Sequence, residues 1–158
     1  MRVGTGTATL WMALLAVPGL ARAQAGATLT VKAYVSTAGP YGESWELNLA
    51  PEGTLSLEIR YMLNPLGKMS GEFIPLPERI KRLQEVIVAE QFMELPQEIW
   101  PDTAPLHQPD LRLTVTLGDR MHKVELYDPD QLRGDTRVPR FFAVWKEVFA
   151  LVPLAPKW

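Results

Sequence analysis

Two stretches of this chain share one pattern: an alternating apolar and polar run, a tight turn, a second alternating run, and a helix-period stretch containing an early proline. Alternation with a period of two buries one face of a strand, and a period near 3.6 buries one stripe of a helix. A chain built twice this way has two hairpins and two helices to bury, and few architectures do that at once.

In the first unit Trp45, Leu47 and Leu49 alternate with Glu46 and Asn48, and Leu55, Leu57, Ile59 and Tyr61 alternate with Ser56, Glu58 and Arg60. The turn between them sets the register, because both apolar sets must lie on one face of the sheet. A two-residue loop at Pro51-Glu52 would set Leu49 against Thr54 and fails. A three-residue loop, Pro51-Glu52-Gly53, sets Leu49 against Leu55, Leu47 against Leu57 and Trp45 against Ile59, with proline second in a type I turn and glycine at the left-handed position.

The second hairpin runs through Leu111, Leu113, Val115 and Leu117 to the turn pair Gly118-Asp119 and returns through Val124 and Leu126. It predicts Leu111 opposite Leu126, Leu113 opposite Val124 and Val115 opposite His122, with Arg112 facing Glu125 on the other side. Met121 falls on the polar face, and nothing in the pattern explains it.

Proline is tolerated at the first helical position, so helices are expected to start at Pro77 and Pro139. The two align without gaps at a constant offset of 62, which sets Ile80, Leu83, Val86 and Ile87 against Phe142, Trp145, Val148 and Phe149. That is compatible with an internal duplication. The first helix has one apolar stripe (Ile80, Leu83, Ile87) and i,i+4 pairs Glu78–Arg82 and Lys81–Glu85 on its wet side. The second is apolar nearly all round and is expected to be the more buried. With a further strand at Leu29, Val31, Ala33 and Val35, the expected fold is α+β: a two-layer sandwich of an antiparallel sheet of about five strands with two helices on one face, in the order β-ββα-ββα.

The start of the chain reads as an export signal. Arg2 precedes the short uncharged run Leu10 to Val17, Pro18 and Gly19 break it, and Ala21-Arg22-Ala23 forms a small-residue cleavage site, with Ala23 to Ala25 as the alternative. The apolar run is about half of the roughly 20 residues a bilayer span requires. Residues 1–23 are therefore expected to be removed, leaving a single α+β domain over 24–158. The chain has no cysteine, so neither a lipoprotein anchor nor disulfides are available. A bacterial periplasm or culture medium is the expected location. Losing Arg2 and Arg22 leaves 14 basic against 18 acidic residues and shifts the formal net charge from −2 to −4. The densest basic cluster, Arg79, Lys81 and Arg82, is interleaved with acids, so nucleic acid is not an expected partner, nor is a membrane once the signal is gone.

No G-x-S-x-G, H-E-x-x-H, phosphate-binding glycine motif or thiol nucleophile is present, so no catalytic residue is nominated and a non-enzymatic role is expected. The histidines are His107 and His122; a metal site would join them to Asp102, Asp110 or Asp119, and nothing in the spacing does so. Asp128, Asp130 and Asp135 flank Pro129 and Gly134, which suits turns and a helix start, and the calcium-loop spacing is absent. Neither metal nor cofactor is expected. Two segments stand out as partner-binding candidates. The long apolar connector Met62 to Leu76 offers Met69 and Phe73 either to a partner or to the core at the sheet edge. The proline-rich stretch Pro96 to Pro109 carries Trp100, either an aromatic anchor or a cap on the core.

Phe92, Leu95 and Pro96, then Asp110 opening Leu111 to Leu117, then Gly118, His122, Val124 and Asp128 ahead of a final helix give residues 92–152 a resemblance. This segment resembles the emfourin-like protein inhibitors of thermolysin-type metalloproteases, and small exported domains of unknown function with the same layout. The resemblance implies the fold and offers a function, inhibition of an exported metalloprotease. In that family the first strand leads to a glycine-rich turn, whose counterpart here is Gly39-Pro40-Tyr41-Gly42. The hairpin around Gly53 and the loop after it look like an addition. The broader expectation is an exported binding domain whose partner is another protein, with Gly39, Pro40, Tyr41, Gly42, Met69, Phe73 and Trp100 as candidate contacts.

Overall fold

The computed structural model describes residues 28–37, 42–61, 67–103 and 108–152. The proposed signal, Gly39-Pro40-Tyr41 and His107 lie outside the described residues. The chain forms β1 (Leu29–Ser36), β2 (Glu43–Leu49), β3 (Leu55–Tyr61), β4 (Lys68–Phe73), α1 (Pro77–Ala89), β5 (Glu98–Ile99), β6 (Asp110–Leu117), β7 (Arg120–Tyr127) and α2 (Arg137–Phe149). The strands make one seven-stranded sheet in the order β4-β3-β2-β1-β6-β7-β5, with β1 at its centre.

Both hairpins adopt the expected registers. Leu49, Leu47 and Trp45 face Leu55, Leu57 and Ile59. The Gly53 N–H donates to the Ala50 carbonyl and Gly53 takes φ +89°, so the three-residue loop closes as its turn chemistry requires. In the second hairpin Leu111, Leu113 and Val115 face Leu126, Val124 and His122, and the positive φ falls on Gly118. Arg112 lies 3.4 Å from Glu125.

Two strands exceed the expected set. Residues Lys68–Phe73, expected within an irregular connector, pair with β3 as an edge strand. Glu98–Ile99 adds to β7 in parallel, so the sheet is mixed where a purely antiparallel one was expected. The second helix also starts at Arg137, two residues before Pro139. The Asp135 carboxylate accepts the Arg137 backbone N–H at 2.8 Å and so supplies the helix start that proline was expected to mark.

Alternate residues of the central strands bury one face, and Leu83, Val86 and Ile87 of α1 join Phe141, Val144, Trp145, Val148 and Phe149 of α2 in the same core cluster. Leu83 is fully buried and Trp145 is 2% exposed. The helices run antiparallel, and each caps the other. Arg79 of α1 donates to the Ala150 carbonyl at the end of α2, and Arg140 of α2 donates to the Glu90 and Gln91 carbonyls at the end of α1. Cations at helix C-termini satisfy orphaned carbonyls and oppose the helix dipole, so this exchange fixes how the pair slides. On the wet side Arg82 reaches Glu85 and, across to α2, Glu147, each at 3.8 Å.

Candidate functional site

One row of side chains crosses the apolar face through all seven strands: Met69, Ile59, Trp45, Val35, Leu111, Leu126 and Ile99. Six of them are buried, and Met69 is 50% exposed. The helices therefore cover the sheet from β5 as far as β3 and leave the β4 border open. Next to Met69 on this face are Gly71 and the half-buried Phe73, and a hollow of about 210 Å³ opens among Leu57, Ile59, Met69, Ser70, Gly71 and Phe73. Beyond the strand Ile74 is 88% and Leu76 56% exposed. Apolar surface left open at a sheet edge, as around Met69 and Phe73, is a candidate docking surface. The indole N–H of the buried Trp45, in the same row, meets no acceptor among the described residues.

Two of the expected contact residues, Met69 and Phe73, are thus brought together, and as a strand rather than as a loop. The strand was hidden because Gly71 stands where the alternation needs a third apolar side chain. A Cβ at Gly71 would come within 3.2 Å of the Phe73 ring, so the glycine lets that ring fold back over the strand.

The other candidates lie elsewhere. Trp100 packs its ring 5.8 Å from Tyr127 and is half exposed at the opposite edge. Gly42 is buried at the base of the β1–β2 connection. There the Thr37 hydroxyl accepts the Glu43 N–H at 2.8 Å and donates to the Glu43 carbonyl at 3.1 Å, while the Thr37 N–H donates to that same carbonyl at 3.0 Å. This clamp ties the end of β1 to the start of β2.

The outer, polar face holds a shallow concavity of about 720 Å³ lined by Lys32, Glu46, Asn48, Ser56, Glu58 and Arg60, among others. Its central carboxylate is already occupied. Lys68 lies 2.6 Å from Glu58, and Arg60 binds the other oxygen. The Lys68 ammonium and then the Arg60 guanidinium hold the Glu58 carboxyl below its ordinary range. Arg112 likewise sits between Asp110 and Glu125 with its guanidinium 5.3 Å from the Tyr34 ring.

His122 uses Nε2 to donate to the Leu95 carbonyl at 2.8 Å and meets Phe92 edge-on, so it tethers the segment after α1 to the sheet. Asp128, buried with φ +46°, accepts from Gln131 at 2.8 Å in a turn. Among the described residues no group of three or more His, Cys, Asp or Glu could hold a metal ion, and no helix is long and apolar enough to cross a membrane. No family model matches the chain, and no curated protein is significantly similar to it.

Proposed function

We propose that this chain is an exported, non-enzymatic protein-binding module of a bacterial periplasm or medium, and that its partner docks on the β4 border around Met69 and Phe73. The observation that carries the reading is the unfinished apolar row: six buried members and a seventh, Met69, half in water beside a hollow. Completing such a row is worth about 25 cal/mol for each Å² of apolar surface removed from water. An edge strand adds main-chain hydrogen bonds, as in binding by strand addition. Neither a cofactor, nucleic acid nor a membrane has a part in this reading.

The test places a photo-crosslinking amino acid at Met69 in the exporting cell, with Glu52 in the exposed first turn as control. Discrete adducts from Met69 and none from Glu52 are expected. A silent Met69 would overturn the docking surface.

A second reading, inhibition of an exported thermolysin-type metalloprotease, is favoured by the clamp between Thr37 and Glu43. A loop pinned at its base loses less order on entering a cleft. Titration into such a protease, repeated with Tyr41→Ala and Gly42→Trp, tests it. Unchanged peptide cleavage with the wild-type protein removes this reading and leaves the first intact.

A further inference from the structure

The β4 border carries few of the devices that discourage edge pairing, its charges Lys68 and Glu72 being the exception. Natural edges are kept short, bulged, broken by proline or charged inward. β5, at the other side of the sheet, is two residues long and is followed within two positions by Pro101. β4 has six residues, no proline, and an unbroken register with β3.

The hydrogen-bond phase of β4 is settled by its neighbours. The Tyr61 N–H donates to the Gly67 carbonyl and the Ala50 N–H to the Thr54 carbonyl, so Leu55, Leu57, Ile59 and Tyr61 direct their backbone groups toward β4. Residues 67, 69, 71 and 73 answer them. Lys68, Ser70 and Glu72 therefore turn their N–H and C=O groups to the open edge, beyond which no strand lies among the described residues.

We infer that two copies of this chain pair antiparallel through β4 about a two-fold axis at Ser70, making one continuous sheet. The inference rests on the reading of this border as a docking surface and names its occupant. Antiparallel pairing about that axis sets Lys68 opposite Glu72 of the second copy, Ser70 opposite Ser70, and Glu72 opposite Lys68. It is the in-phase register that uses all three outward-facing residues, since a shift of two in either direction strands one of them. The same register matches the side chains on both faces. On the polar face it makes two Lys–Glu pairs, and Glu72 has no cation from its own chain among the described residues. On the apolar face it sets Met69 beside Gly71 of the second copy, over which that copy's Phe73 ring folds, so that thioether and ring come side by side. Apolar faces meet apolar faces, so the two bare borders cover each other. A two-fold interface demands this kind of self-complementarity.

Sedimentation of the purified protein should give the mass of a dimer at tens of micromolar. Lys68→Glu or Glu72→Lys alone sets like charges opposite each other twice and should weaken pairing by about tenfold. An equimolar mixture of the two variants restores opposite charges at both positions and should dimerise again, which also shows that both have folded. Facing residues of a hydrogen-bonded pair lie about 5.5 Å apart at Cα, within disulfide reach. Because the chain has no cysteine of its own, Ser70→Cys should oxidise to a covalent dimer, and Glu52→Cys should not. A monomer up to about 100 micromolar, well above the weak range of specific association, overturns the inference. So do single charge variants that pair as tightly as wild type, or a dimer that oxidises at Glu52→Cys and not at Ser70→Cys. If Met69 crosslinks to a different protein while the chain stays monomeric, the docking surface stands and self-pairing falls; if Met69 crosslinks to nothing, both fall.

Discussion

Ile99 and Met69 end the same row of side chains at opposite edges of the sheet, and they meet opposite fates: Ile99 is fully buried and Met69 half exposed. The difference follows from what lies beneath each half. On the β5 side α2 stacks Phe141 on Trp145 at 5.5 Å and Trp145 against Phe149 at 4.8 Å, a broad aromatic layer. On the β4 side Ile80 of α1 lies near Gly53 of the first turn, and the buried side chains of α1, Leu83, Val86 and Ile87, carry no ring. Two units with one layout thus carry helices whose buried side chains differ in size. One half ends in a buried side chain and the other in a half-exposed one.

The sharpest way to break this comparison is to truncate both ends of the row. Ile99→Ala leaves a cavity in a closed site and should cost about 2–5 kcal/mol in urea unfolding. Met69→Ala removes a side chain already half in water and should stay within about 0.5 kcal/mol of wild type. Equal losses would show that the two edges are packed alike in solution.

A smaller effect separates the helix ends. Arg140 binds two carbonyls from a half-buried position, whereas Arg79 binds one from an exposed position. Charge-assisted hydrogen bonds net about 1.5–3 kcal/mol when sheltered and less in water, so Arg140→Ala should lower the unfolding free energy more than Arg79→Ala. The reverse order would mean that the β4 half is the more tightly held.

The contrast between the halves also marks what could be read from residues alone. Turn chemistry made both hairpin registers legible, because Pro51-Glu52-Gly53 and Gly118-Asp119 each admit one loop length that keeps the apolar set on one face. β4 was not legible as a strand: Met69, Gly71 and Phe73 alternate correctly, but glycine blanks the middle of the pattern. β5 is too short for any period, and only its pairing with Glu125 and Leu126 of β7 defines it. Met121 on the polar face faces Thr116 next to the turn, and no packing role accounts for it. Of the candidate contacts, Met69 and Phe73 could be recognised as excess apolar residues in a connector. That they share an edge depended on the sheet order, which no local signal encodes.

The smallest expected effect concerns how each helix begins. α1 opens at Pro77 after Leu76, with Glu78 in its first turn and no side-chain cap. α2 opens on Asp135, whose carboxylate binds both the Arg137 guanidinium and the Arg137 backbone N–H. The Arg137 side chain first, and its backbone N–H second, hold the Asp135 carboxyl below its ordinary range. A carboxyl with a folded pKa below its unfolded value stabilises the fold fully above the unfolded pKa, near 3.9 for aspartate, and loses that contribution as pH falls through the folded pKa. Acid should therefore loosen the start of α2. Hydrogen exchange at about pH 5 and pH 3 would read both ends in one sample. In Asp135→Asn, which keeps an oxygen acceptor for the backbone and loses the charge, the contrast between the two pH values at α2 should largely disappear. If the first turn of α2 in the wild type is as protected at the lower pH as at the higher, the carboxylate is not what starts that helix.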